Sequence, residues 1–270
     1  MKCLDLTLPT PAENLACDEA LLDVCEEGCG HQLLRFWEPQ THFVVLGYAN
    51  RVATEVDREA CDARNIPILR RCSGGGTVVQ GPGCLNYSLL LKSDGDGPLR
   101  GIASANRFVM ERNRAALEML LSCSNRRQEA PPFKSEKKHR LLTTPDATMP
   151  EGASSVSIQG YTDLATGGLK FSGNAQRRKK RFLLFHGTFL LQFDLALIGT
   201  ILPMPSKQPA YRHHRAHQDF LTNLAVPADS VKRVLQRAWR ASECVETFPH
   251  EQIALLTRDK YSTAAWNLRF

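Results

Sequence analysis

Arg70-Arg71-Cys72-Ser73-Gly74-Gly75-Gly76-Thr77-Val78-Val79 is the segment whose composition points most directly to chemistry. Three successive glycines let the main chain approach a ligand closely and reach positive φ. Their N–H groups can face an anion, and the flanking guanidinium groups add charge-assisted bonds to a carboxylate or phosphate. The pattern is neither GxGxxG nor a P-loop, because no Gly-Lys-Ser/Thr follows. Taken alone, the triplet suits a glycine-rich turn between strands equally well. Gln80-Gly81-Pro82-Gly83 follows at once, and two such loops in succession imply a bend packed against a ligand. The second constellation is Lys170-Phe171-Ser172-Gly173-Asn174-Ala175-Gln176. A lysine fixed at a strand start can stabilise negative charge developing on a carbonyl or phosphate. A lysine guarding a strand edge is the competing reading. His186-Gly187-Thr188 interrupts an apolar run, where the histidine either orients a substrate or is a satisfied core side chain.

Two basic segments belong to the same survey. Arg177-Arg178-Lys179-Lys180-Arg181 reads as a solvated charge run, with steering of an acidic partner as its second use. Arg212-His213-His214-Arg215-Ala216-His217 holds three histidines but has no Asp, Glu or Cys at a ligand spacing, so no metal is assigned.

The elements that must position these residues are legible in outline. Thr10-Pro11-Ala12-Glu13 is a helix start with a capping box and proline at the first helical position. The helix runs on from Asn14 to Glu27. Leu33–Trp37, Phe43–Gly47, Ile66–Arg70 and Leu85–Leu91 read as strands. Ser104–Leu121 has helical periodicity. Ser122–Ser155 carries few large apolar residues and reads as a long loop or insertion. A strand over Ser157–Leu164 precedes the turn Thr166-Gly167-Gly168, and a second begins at Leu169. Phe182–Phe193 reads as an apolar strand broken at His186-Gly187-Thr188, and Ser230–Glu243 as a helix. Strands and helices mix without regular βαβ alternation, which predicts an α+β fold with a mixed sheet flanked by helices.

Composition sets the outer bounds. The chain has 270 residues, 43% of them hydrophobic, and a formal net charge of +6. We expect one catalytic domain over 1–250, with its insertion at about 122–155, and a short C-terminal extension over 251–270. The nine cysteines include no CxxC pair and read as reduced thiols of a cytoplasmic protein. No apolar run is long enough for a signal peptide or a membrane helix. No helix-turn-helix, zinc finger or aromatic-interleaved basic strand supports nucleic-acid binding.

Asn14-Leu15-Ala16-Cys17-Asp18-Glu19-Ala20-Leu21-Leu22, Arg70–Gly76, Thr162-Asp163-Leu164, Lys170–Ala175 and His186-Gly187-Thr188-Phe189-Leu190-Leu191, in this order, resemble the biotin/lipoate protein ligase superfamily. The resemblance is to the branch of lipoate–protein ligase A and the octanoyltransferases, and it spans most of the chain. It implies a fold similar to the catalytic domains of biotin ligases and class II aminoacyl-tRNA synthetases. It also implies ATP and magnesium as cofactors, lipoate or octanoate as substrate, and an acyl-adenylate intermediate. The final acceptor would be a lysine of a carrier domain, of the 2-oxoacid dehydrogenase E2 or glycine-cleavage H-protein type. By position, Arg71 and Gly76-Thr77-Val78-Val79 would bind the nucleotide, and Lys170 would contact the acyl carbonyl and phosphate. Arg70, Ser73, Gly74, Gly75, Gly173, Asn174, Ala175 and His186 would complete the binding site.

Full-length ligases of this type usually carry a further C-terminal domain, so a separate accessory chain is an expected partner. Gln80-Gly81-Pro82-Gly83 is closer to the octanoyltransferases' His-Gly-Pro-Gly. Those enzymes use an acyl-thioester cysteine shortly before the lysine motif, where Val156-Ser157 stand here. No cysteine lies between Cys123 and Cys244, and Cys72 and Cys84 match no family position. The expectation is therefore a ligase. The alternatives are an octanoyl or lipoyl transferase drawing on acyl carrier protein, and a noncatalytic acyl- or nucleic-acid-binding regulator.

Overall fold

The computed structural model describes residues 1–29, 31–128, 155–245 and 247–270. Helix α1, Pro11–Val24, starts as its sequence predicts. Thr10 Oγ1 accepts the Glu13 N–H at 3.2 Å, and Glu13 Oε2 accepts the Thr10 N–H at 2.8 Å. The main sheet has eight strands: β1 (Lys2–Asp5), β2 (Leu33–Trp37), β6 (Cys84–Lys92), β7 (Val156–Gln159), β8 (Asp163–Thr166), β9 (Leu169–Arg178), β10 (Phe182–Leu190) and β11 (Glu243–Cys244). Their spatial order is β11-β1-β2-β6-β10-β9-β8-β7. The first two pairings are parallel and the rest antiparallel. A smaller sheet has order β4-β3-β5, from β3 (Phe43–Leu46), β4 (Ile68–Arg70) and β5 (Val78–Gln80). The glycine triplet joins β4 to β5.

The apolar runs of β2, β6 and β10 are buried on both faces. Phe36, Leu89, Leu91, Leu183 and Phe185 enter one core with α4 (Ile102–Gln128) and α7 (Ala228–Trp239). Trp37, Leu90 and Leu184, one residue out of phase, enter another with Leu15, Leu21 and Leu22 of α1. This alternation is the period of two that a strand requires. Two short helices, α2 (Val52–Glu55) and α3 (Arg58–Asp62), with α5 (Leu195–Ile201), contribute to a third cluster beside the small sheet.

Several boundaries differ from the sequence reading. Ser157–Leu164 is two strands, β7 and β8, because Gly160 turns the chain at φ +55. β10 runs unbroken through His186-Gly187-Thr188 to Leu190. α4 continues to Gln128 rather than ending at Leu121, and Arg and Gln are good helix formers. The rest of the expected insertion, 129–154, lies outside the described residues. α7 stops at Trp239, where Arg240 takes the left-handed conformation at φ +50, short of the expected Glu243. The segment 251–270 is packed on the body. After α6 (His217–Phe220), helices α8 (His250–Leu256) and α9 (Ala264–Asn267) reach α1 and β4, and Lys260 pairs with Glu19 at 2.6 Å. Among the described residues, no helix is long and apolar enough to cross a membrane.

Candidate active site

Strand register assembles the site. Three rows cross β2-β6-β10-β9: Arg35–Ser88–His186–Ala175, Phe36–Tyr87–Gly187–Asn174, and Trp37–Asn86–Thr188–Gly173. In the middle row, Gly187 lets two side chains meet across it. The Tyr87 hydroxyl donates to Asn174 Oδ1 at 2.6 Å, and a Cβ at 187 would stand 1.7 Å from that oxygen. The glycine between histidine and threonine thus serves packing and leaves the strand intact. Asn174 Nδ2 donates to the Thr162 carbonyl at 2.8 Å, and Thr162 Oγ1 returns a bond to the Asn174 carbonyl at 2.7 Å. Behind Tyr87, Asn113 Nδ2 donates to its hydroxyl and Trp239 Nε1 donates to Asn113 Oδ1, tying the row to α4 and α7. Burial pushes the Tyr87 phenol far above its usual value, so it remains a donor.

His186 sits in the first row. Its Nε2 lies 2.6 Å from Ser73 Oγ and its Nδ1 3.4 Å from Asp18 Oδ2. Asp18 also pairs with the buried Arg35 at 2.6 Å and accepts from Ser88 Oγ at 2.7 Å. Burial raises the Asp18 carboxyl, but Arg35, His186 and Ser88 outweigh it and hold it below the usual carboxylate range. The serine–histidine–aspartate order is not a nucleophilic triad. Ser73 is 0% exposed, lies outside the cavity lining and takes a further bond from Arg71 Nε. It braces the glycine loop against β10.

The loop itself is shaped by Arg71. Nη2 donates to the carbonyls of Gly74 at 2.7 Å and Gly76 at 2.8 Å, and Nε donates to Gly74 as well. Carbonyl and N–H are antiparallel in a trans peptide, so the N–H groups of Gly75 and Thr77 point away from the guanidinium. Burial lowers Arg71 to about 10, which leaves it charged at neutral pH. Gly75 has φ +91, and its carbonyl nests on Gly47, where a Cβ would come within 2.1 Å. Arg70 does a different job from the one expected of it. It is fully buried outside the cavity, and its Nη1 donates to the carbonyls of Gly47, Tyr48 and Asn50. Asn267 and Trp266 take its remaining bonds. β4 ends at Arg70, and the two adjacent arginines turn to different partners, so that only Arg71 lines the cavity.

A cavity of about 340 Å³ lies between this loop, the β9–β10 rows and the 203–221 segment. Leu15, Trp37 and Val45 give it an apolar wall, and Arg71, Gly75, Gly76, Thr77, Val78 and Val79 supply the loop side. Lys170, Gly173, Asn174, Ala175 and His186 also line it, whereas Arg70, Ser73 and Gly74 do not. Lys170 Nζ pairs with Asp163 Oδ1 at 2.8 Å. A β-bulge opposite Leu164 and Ala165 leaves Phe171 unmatched and re-aims the lysine. The side chain then lies across Gly173, where a Cβ would be 2.9 Å from Nζ. Gly173→Ala should therefore leave the melting temperature close to wild type, since only a flexible amine must move. Any reaction that depends on the placement of Lys170 should nonetheless slow by about 10²-fold, the scale of a 1 Å misplacement. Paired thermal melts and initial rates check this.

Sequence reasoning missed Arg35, Tyr87, Asn86 and Tyr211, and named Thr188 only as part of the His186-Gly187-Thr188 interruption. Gln80 Nε2 donates to Thr188 Oγ1 and Asn86 Nδ2 to Gln80 Oε1, a closed polar set at the cavity wall. The available signal was polar residues inside otherwise apolar strands. Cys72 and Cys84, both buried and pushed up to about 12 by burial, do not line the cavity. Among the described residues, no three His, Cys, Asp or Glu side chains converge on a metal position.

With this geometry in place, comparison with known proteins is informative. The octanoyltransferase LipM of Brevibacillus brevis is 26% identical over 284 residues, covering 96% of this chain and 95% of the relative. That of Geobacillus kaustophilus is 27% identical over 274 residues, covering 96% and 94%. Among solved structures, a lipoate protein ligase of T. acidophilum with bound lipoic acid superposes with TM-score 0.72 at 24% identity, over 99% of this chain and 98% of that one. A bi-partite lipoate protein ligase from Thermoplasma acidophilum, studied with its E2 lipoyl domain, gives 0.73 at 22%, over 99% and 96%. Lipoate-protein ligase A bound with ATP gives 0.67 at 25%, over 99% of each chain. The family model of the lipoyl protein ligase A/B catalytic domain matches residues 10–240, and the chain belongs to that family.

Proposed function

We propose that this chain activates lipoate or octanoate with ATP and passes the acyl group to a lysine of a carrier domain. The observation that carries the reading is Lys170, held at the polar side of an apolar-walled cavity beside the glycine loop, with no thiol among the described residues that line that cavity. In the first step the acid's carboxylate oxygen attacks the α-phosphorus of ATP, and pyrophosphate leaves. In the second, the carrier's neutral ε-amine attacks the acyl carbonyl, the nitrogen gives up a proton to solvent, and the tetrahedral oxyanion collapses to the amide as AMP departs. Both steps build negative charge. Lys170 and the outward N–H groups of the loop stabilise it, and being already positioned they need no reorganisation at that moment. The apolar wall takes the acyl chain, and Arg71 keeps the loop in shape. Among the described residues no three His, Cys, Asp or Glu side chains converge, and magnesium would accompany the nucleotide's phosphates as their counter-ion. The acceptor is a lipoyl domain of the E2 or H-protein type, and a separate accessory chain is compatible with this reading.

A second reading, transfer of octanoate from acyl carrier protein, is favoured by the names of the relatives. It requires a covalent intermediate on a nucleophile, and among the described residues no cavity-lining side chain is a thiol. Pyrophosphate release separates the two. The ligase reading expects release that depends on lipoate or octanoate and equals the acyl groups delivered. Carrier acylation from an octanoyl thioester donor without pyrophosphate would replace it with the transferase.

A further inference from the structure

We propose that Tyr211 is a positioning residue that acts on Lys170 through Asp163, a proposal that rests on the assignment of Lys170 to acyl transfer. The Tyr211 hydroxyl donates to Asp163 Oδ2 at 2.8 Å, while Lys170 Nζ occupies Oδ1 at 2.8 Å. One carboxylate thus bridges a phenol and the ammonium, with one oxygen for each. Asp163 and Lys170 are largely shielded, at 14% and 24% side-chain exposure, so the bridge is not a loose surface pair. Burial and the neighbouring carboxylate push the Tyr211 phenol far above its usual value, which keeps it protonated and donating.

Tyr211 is itself fixed from several sides. Its ring packs on Phe220 at 5.1 Å, and the left-handed Gly160 brings the β7–β8 turn against its edge. Arg215 Nη2 donates to its carbonyl at 2.9 Å. The segment is also clamped to the lysine's own backbone, because the Thr222 N–H donates to the Lys170 carbonyl at 2.9 Å. Pro203, Pro205, Arg212, Phe220 and Leu221 of this segment line the cavity. Tyr211 therefore couples the cavity's far wall to the placement of the ammonium. Lys170 has four rotatable bonds and a strongly hydrated head, so without a fixed carboxylate its position spreads. The hydroxyl of Tyr211 narrows that spread by fixing the carboxylate, and it touches neither acyl group nor nucleotide in doing so.

Tyr211→Phe keeps the ring on Phe220 and removes only the donor. In the full chain it should lower kcat for carrier acylation about tenfold, the scale of losing a hydrogen bond to a charged group. KM for the acid and for ATP should stay within about twofold. An activity-independent readout accompanies it: labelling by the N-hydroxysuccinimide ester of acetic acid, mapped by peptide mass. Labelling of Lys170 relative to the exposed Lys92 should rise severalfold in both Tyr211→Phe and Asp163→Asn. Unchanged relative labelling overturns the proposal, and so does unchanged kcat or a rise in KM alone. If the wild type acylates no carrier, the functional assignment fails while the labelling ratio still judges the latch.

Discussion

Lys170→Ala should lower carrier acylation by about 10²–10³-fold, the range for removing one preorganised donor from a developing anion. The fold should survive. Lys170 lines the cavity, so truncating it empties no packed core position. Asp163 keeps its bond from Tyr211 after the substitution, so no carboxylate is left without a donor. The loss should fall on kcat more than on KM for the acid, because the apolar wall that binds the chain is untouched. Initial rates by carrier mass, alongside circular dichroism and a thermal melt, separate the two effects. Activity within threefold of wild type would remove Lys170 from the chemistry.

Asp18→Ala should strongly destabilise the fold. Arg35 is 0% exposed; Nη1 donates to Asp18 and to the Asn14 carbonyl, while Nη2 reaches Asn14 Oδ1 and the Leu6 carbonyl. Among the described residues its Nε has no partner. Removing the carboxylate strands a buried cation, which costs about 3–5 kcal/mol. For a chain of this size that corresponds to a fall in Tm of roughly 6–20 °C. The same pair predicts an acid limb. Asp18 is held below its unfolded value, so its contribution is fully present above about pH 4 and is lost as pH falls through the depressed folded value. Asp18→Asn removes that part of the acid limb, and melts of both proteins between pH 3 and 7 show the difference directly. Parallel melting curves for the two would contradict the linkage.

Local chemistry made part of this legible from residues alone. Thr10 and Glu13 announce α1 because a capping box is completed within four residues. The glycine triplet and Lys170 stood out because each carries a conformational or electrostatic meaning by itself. What stayed hidden is whatever depends on register. Adjacent arginines look equivalent in sequence, yet β4 ends at Arg70, whose side chain turns to the carbonyls of Gly47, Tyr48 and Asn50, while Arg71 just beyond it turns to the loop. Gly187 reads as a break until the pairing sets Tyr87 and Asn174 on either side of it. Tyr211 precedes a basic run that draws attention first, and its partner lies 48 residues away. The bulge at Phe171, which aims the lysine, leaves no mark in residue type.

The most direct test is the intact mass of a lipoate-free E2-type lipoyl domain after incubation with this protein, lipoate, ATP and magnesium. The account predicts a gain of one lipoyl group that disappears when ATP is withheld and when Lys170→Ala replaces the wild type. A carrier left unchanged under those conditions, but octanoylated from an octanoyl acyl-carrier-protein donor without ATP, would contradict it.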